Sequence, residues 1–408
     1  MDVKTDSVGN KYSVLFACSL MLTITYMALS SWGMAVPELS ETFNLSNAMI
    51  QLGNAALIAG YAVGSFIEGR MLDKAGWKKT FAFAMVLFLL GSILIPFMKN
   101  YTIIVLLRFA MGFGLVVNIT VALVGGWFPV HQRGLAVGIL IGCIGLGSAL
   151  GGYIAGVLTP KFGWENTFLI LGGITVVGII IFYILVKDPP KYMEESSQNE
   201  SVAEEPQFTG NIYAQPALWL FALALLCVFF NVYGMYAFLA TYLQSLEYTA
   251  SEVGLVVLFN GLIAVLSTPV GGWFSDRMIS KTGNVLKARA YSVGFVGALI
   301  GFIGCLLVPV LSPKGIGLAI LAAVIAGWGC PATNSPILSL PSDIFGSKAA
   351  GPANGIVILI AGIGGIISPI LIPYLADIYG WTFGWMITAI AAGVCFIVSM
   401  ILPKFQKA

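Results

Sequence analysis

Charge is scarce in this chain: 20 Lys and Arg, 18 Asp and Glu and a single His stand among 408 residues, 9% charged in all, where a soluble domain carries about 25%. A net charge of +2 supplies no basic field to hold nucleic acid, and one histidine, His131, leaves little from which to build a metal site. The six cysteines (Cys18, Cys143, Cys227, Cys305, Cys330, Cys395) all fall inside apolar runs and form no C-x-x-C pair, so they read as small core residues. Also missing are a P-loop, a G-x-G-x-x-G after a strand, an H-E-x-x-H and a readable Ser/His/Asp set, which argues against an enzyme. No polar stretch is long enough to fold the nucleotide-binding domain of a primary pump. Neither metal nor cofactor is expected.

What the chain has is apolar length. Hydrophobic residues make up 58% of it, in twelve runs of about 20 residues or more, the length needed to cross a roughly 30 Å hydrocarbon layer. The spans are 14–36, 48–68, 79–98, 101–122, 134–158, 166–186, 216–243, 252–275, 288–310, 315–337, 350–375 and 382–403. Unpaired backbone is costly in lipid and the runs lack the alternation of barrel strands, so all are predicted to be helices. The first run is too long for a signal-peptide core and is read as a retained span. With the N-terminus inside, almost all Lys and Arg fall in cytoplasmic loops and tails, leaving Lys99, Lys161 and Lys314 outside. A multi-pass protein of a plasma membrane with both termini cytoplasmic is expected.

One long polar stretch interrupts this pattern. Residues 187–215, rich in Glu and Pro, form a linker between an N-terminal half (1–186) and a C-terminal half (216–408) of six spans each. The halves echo each other. Gly134-Leu-Ala-Val-Gly-Ile returns as Gly351-Pro-Ala-Asn-Gly-Ile, and Gly163-Trp164 returns at the same offset as Gly380-Trp381, which argues for internal duplication. Parallel six-span halves with a site between them near the bilayer midplane are a transporter architecture.

The loop between the second and third spans reads Gly69-Arg-Met-Leu-Asp73-Lys74-Ala-Gly76-Trp-Lys78-Lys79, and its counterpart after the eighth begins Gly272-Trp-Phe-Ser-Asp276-Arg277. With twelve spans this resembles the major facilitator superfamily, whose signature loop has the form G-x-L-x-D-R-x-G-R-K; Trp77 stands where that family usually has a cation, and the second copy is stretched. A second family pattern, R-x-x-x-G-x-G, is met by Arg108, Gly112 and Gly114; in the other half Ile325 replaces the Arg. Trp127-Phe-Pro-Val-His-Gln-Arg133-Gly-Leu-Ala-Val-Gly-Ile is similar to a loop of members that carry small organic anions, while the exporter pattern ending G-P-x-x-G-G has Ser148 in place of its proline. The resemblance implies gating roles for Gly69, Asp73, Gly76, Lys78, Asp276, Arg277 and Arg133, and a chain that acts as a monomer.

No carboxylate falls at mid-depth in any span, so Arg108 lacks a same-depth acid. A lone cation in the membrane costs at least about 2.5–3.5 kcal/mol on insertion scales unless something compensates it. A substrate carboxylate, which a guanidinium fork suits, is one expected partner; carbonyls of the first span, or snorkelling from about 10 Å depth, are the other. Tyr26 and Ser30, Asn118, Asn231, Tyr233, Tyr236, Asn260, Asn334 and Asn354 are candidate cavity residues, since an amide in lipid needs a partner; interhelical bonding is the alternative for each. Glycines at four-residue spacing (Gly134, Gly138, Gly142; Gly147, Gly151) are read as seams of close helix contact. Glu38, Glu68 and Asp377 at span ends are read as structural. The expectation is an all-α secondary transporter of a small, monocarboxylate-like anion, driven by protons or by anion exchange; a multidrug or amphipathic-solute exporter is the alternative, and a non-transporting receptor comes third.

Overall fold

The computed structural model describes residues 5–128, 130–188 and 212–405, leaving aside the side chains of 5–10, 73, 130–135, 212, 341–343, 345–352, 354, 355 and 405. Most of the 187–215 linker lies outside them. Among the described residues eleven helices are long and apolar enough to cross a membrane, and one of these, Ala136–Leu185, folds back on itself at Gly163 (φ 78°). The spans are α1 (Lys11–Phe43), α2 (Asn47–Leu72), α3 (Lys74–Phe97), α4 (Tyr101–Trp127), α5 and α6 (136–162 and 164–185), α7 (Pro216–Gln244), α8 (Ala250–Thr282), α9 (Val285–Lys314), α10 (Ile316–Leu340), α11 (Ile356–Tyr379) and α12 (Trp381–Lys404). The all-α, twelve-span expectation holds.

Local chemistry sets the ends of these helices. Ser46 and Asn100 cap α2 and α4 through their side-chain oxygens, and Thr249 with Glu252 forms a capping box at α8. The duplicated Gly-Trp pairs adopt one conformation: Gly163 at φ 78°, ψ 164° and Gly380 at φ 85°, ψ 159°, which a side chain would strain. Gly76, at φ 75°, makes the corresponding break beside the α2–α3 turn. The outward faces are apolar, with Phe66, Leu106, Ile184 and Trp273 all exposed, as lipid contact requires. One buried cluster draws on 14–186 together with Tyr233 and Tyr236, and two others draw mainly on 217–402.

Close helix approach is bought with glycine, though not always where the four-residue spacing points. Gly147 and Gly151 sit against the backbone of Thr23 and Met27 on α1, while Gly138 faces open space. A different face of α5 meets α8 in the other half: an added Cβ would lie 3.0 Å from the Gly261 carbonyl oxygen at Gly145 and 2.6 Å from the Ala250 carbonyl oxygen at Gly156. Gly112 and Gly114 press α4 against α2 and Phe88 of α3.

The fourth helix is broken at mid-length. After Gly112 the chain tightens into a 3-10 turn (Phe113–Leu115), Val116 turns left-handed at φ 36°, ψ 20°, and the helix restarts at Val117 with no side-chain cap. A β-branched residue at positive φ is strained.

Candidate transport site

A cavity of about 450 Å³ lies between the first six helices and the last six, and a second of about 570 Å³ shares Tyr61, Asn118, Phe229, Tyr233 and Ile358 with it. The two adjoin along these residues, and the region they make up runs from Tyr26, Tyr236 and Asn334 to Gly69 and Arg70 at the end of α2. No Asp or Glu belongs to its described lining. Most of the wall is apolar; its polar part consists of the hydroxyls of Tyr26, Tyr61, Tyr233, Tyr236 and Thr268 and the amides of Asn118 and Asn334, with Ser65, Arg70 and Tyr213 toward the end of α2. Tyr26 on α1 and Tyr233 on α7 bring their hydroxyls to 3.5 Å across the divide. Asn118 donates to the Ser65 carbonyl at 3.3 Å, and Asn334 Oδ1 is buried without a partner among the described residues. Asn118 belongs to the first turn of the restarted α4, so a helix N-terminus opens beside the cavity.

The opposite end is closed. Gln51 Nε2 on α2 donates to the Ala237 carbonyl on α7 at 2.8 Å, Gln244 Nε2 on α7 donates to the Met34 carbonyl on α1 at 3.2 Å, and Gly33 lies so near Ala237 that a Cβ would come within 2.8 Å of its carbonyl oxygen. Among the described residues the cavity therefore continues toward the end that carries Gly69 and Arg70, and not toward this one.

Of the nine candidate cavity residues besides Arg108, Tyr26, Asn118, Tyr233, Tyr236 and Asn334 lie on this wall. Asn231 instead donates to Cys305 Sγ and the Thr388 carbonyl, both at 3.3 Å, and Asn260 to the Ala323 carbonyl at 2.8 Å, ties between helices of the second half. Ser30 is buried off the wall, with its hydroxyl unpartnered among the described residues. The Asn354 side chain lies outside the described ones. Tyr61 is not among the candidates, although Gln51, Asn54, Tyr61, Ser65 and Glu68 form a polar stripe at spacings of three, seven, four and three along α2.

Arg108 stands apart from the central cavity. Its guanidinium donates from Nε to the Gly53 carbonyl at 3.3 Å, from Nη1 to the Ala28 carbonyl at 3.1 Å and from Nη2 to Asn54 Oδ1, and it lies 4.5 Å from the Trp32 ring. It borders a separate void of about 30 Å³ inside the first six helices. Protein oxygens, on α1 and α2, take the place expected for a bound carboxylate in this conformation. Asn54 passes the connection on, donating to Gln51 Oε1 at 3.1 Å, so a hydrogen-bonded chain joins Arg108 to the closed end at Ala237.

At the other end the loop residues are tied locally. Lys78 Nζ meets Asp188 at 2.8 Å and Trp77 Nε1 donates to the same carboxylate at 2.6 Å. The bond from Lys78, then that from Trp77, hold the Asp188 carboxyl below the usual carboxylate range. In the second copy Asp276 pairs with Arg289 at 2.7 Å, and Arg277 stands 5.6 Å from the Trp273 ring. The side chains of Asp73 and Arg133 lie outside the described ones. Among the described residues no group of three or more His, Cys, Asp or Glu could hold a metal.

Relatives place this arrangement. A probable sulfoacetate transporter of Cupriavidus necator is 25% identical over 97% of this chain and 94% of its own length, and a hexuronate transporter of Bacillus subtilis is 24% identical over 98% and 95%. Among solved structures, a bacterial homologue of the human lysosomal transporter Spinster superposes with a TM-score of 0.77 at 16% identity over 98% of this chain and 99% of that one, and a D-xylose-proton symporter with a TM-score of 0.76 at 16% identity over 98% of each. These are membrane transporters, not enzymes. The family model described as Major Facilitator Superfamily matches residues 18–322 and 286–407, and the chain belongs to that family.

Proposed function

We propose that this transporter carries a small organic anion across a plasma membrane, its two halves, 1–186 and 216–408, rocking about the central cavity between open and closed ends. The observation that carries the reading is a described wall that offers hydroxyl and amide donors, and Arg70 at the end of α2, but no carboxylate. An anion so placed meets Tyr26, Tyr61, Tyr233 and Tyr236, Asn118, Asn334 and the N-terminal end of the restarted α4, whose dipole favours negative charge. Relatives named for sulfoacetate and hexuronate transport support the same class. Arg108 braces α1 in the conformation described and is a buried cation available to an anion in another. The cation-rich end, with Arg70, Lys78 and Arg289, is assigned to the cytoplasm, which makes this an inward-open state with both termini inside. The transporter is taken as a monomer, in contact with lipid and one small solute.

The test is flux. Purified protein in proteoliposomes is expected to take up labelled sulfoacetate, a hexuronate or a monocarboxylate saturably; flux of lipophilic cations instead would establish the exporter alternative. Tyr236→Phe removes a wall hydroxyl that has no hydrogen bond to a described residue, so it is expected to raise KM by about 10-fold or more, the worth of one hydrogen bond to a charged group, without altering thermal stability. An unchanged KM would remove Tyr236 from the site.

A further inference from the structure

The sequence alone reads Glu68 as structural, yet among the described residues it is the one carboxylate buried within a span, 2% exposed and four residues short of the end of α2. Its Oε1 has no partner among the described residues, and no Lys, Arg or His forms an ion pair with it there. The charged and titratable groups around it are few. On its own helix, Tyr61 lies two turns away and Arg70 has its guanidinium 4.2 Å from the Phe66 ring. On the elements packed against α2, α4 presents the neutral Asn118, while His131 and Arg133 before α5 and Lys348 before α11 lie outside the described side chains.

A buried carboxylate in that position is costly when ionised, and an isolated one in a membrane transporter marks a proton path by default. Position strengthens the case. Ser65, three residues before it, and Gly69, one after it, both line the open cavity, so Glu68 lies between wall residues while remaining out of water. We propose that Glu68 is the proton carrier of this transporter, taking one proton from water on one side of the membrane and releasing it to water on the other, so that anion and proton cross together. This rests on the transport reading above. The proton adds to a carboxylate oxygen and leaves from it, and nothing else is consumed.

The full chain in proteoliposomes tests this with the same anion panel, comparing wild type with Glu68→Gln and Glu68→Asp. Uptake driven by an inward proton gradient is expected to fall at least about tenfold in Glu68→Gln and to lose its pH dependence, while exchange of labelled for unlabelled anion at equal pH persists; Glu68→Asp, which keeps the carboxyl, retains part of the driven uptake. Infrared difference spectra between acid and alkaline buffer should show a protonated-carboxyl band in wild type that Glu68→Gln removes. Gradient-driven uptake by Glu68→Gln at the wild-type level, or an unchanged carboxyl band, overturns the proposal. Should Glu68→Gln lose exchange as well, the Asp variant and the band decide. A wild type that moves none of the anions refutes the transport reading, and the band then still reports on Glu68.

Discussion

Arg108→Lys is expected to reach the membrane, to unfold a few degrees below wild type and to transport about 10- to 100-fold more slowly. The guanidinium serves three acceptors on two helices from three different nitrogens, Nε to Gly53, Nη1 to Ala28 and Nη2 to Asn54. An ammonium gathers its donors on one atom and cannot span that set. Each buried acceptor left without a donor costs roughly 1–3 kcal/mol. The function suffers more than the fold because Asn54 also positions Gln51, whose amide holds Ala237 across the divide. Gln51→Ala should therefore show the same defect in milder form, since Gln244 and Gly33 still close that end. Uptake in proteoliposomes and thermal denaturation in detergent measure both effects. Full transport by Arg108→Lys would remove the residue both as a brace and as an anion contact.

Gly261→Leu is the second substitution with a large expected effect. A Cβ there would lie 2.5 Å from the Cβ of Ala149 and 2.6 Å from the carbonyl oxygen of Gly145, so α5 and α8 must separate to admit any side chain. Overpacking of this kind costs about 1–3 kcal/mol in a well-packed interior. Here the strain falls on a contact between halves that have to slide past one another. Transport should drop at least tenfold, with the amount of protein in the membrane near that of wild type. Gly138→Ala, on the same α5 with nothing within 4 Å, is the control and should transport normally. Equal transport by the two variants would show that the α5–α8 contact does not limit the motion.

Run length made the twelve spans legible, because hydrocarbon thickness fixes how much apolar helix is needed. The Gly163-Trp164 and Gly380-Trp381 echo was legible too, and the shared backbone conformation gives it a physical cause. The partners of Arg108 were open in the sequence between an anion and carbonyls of the first span, since a carbonyl belongs to every residue and leaves no mark in a sequence. Asn231 and Asn260 carried the same ambiguity as Asn118, and only helix rotation decides that two of them meet Thr388 and Ala323 while the third meets the cavity. Spacing alone picked Gly134, Gly138 and Gly142, of which a Cβ added at Gly142 would meet Val265 of α8 at 3.6 Å, whereas the tightest contacts with α8 use Gly145, Gly152 and Gly156 further along the same face. Tyr61 and Glu68 needed the α2 stripe to be read as one polar line from Gln51 downward.

The left-handed Val116 leaves amides at the middle of α4 outside the regular helical ladder, beside a wall that solvent reaches from one side. Amides buried in an unbroken lipid-facing helix resist deuterium for long periods, but those around Val117 and Asn118 should label early whenever the cavity is wet. Their labelling rate would then report which face of the bilayer the solute compartment is connected to, without any probe being attached.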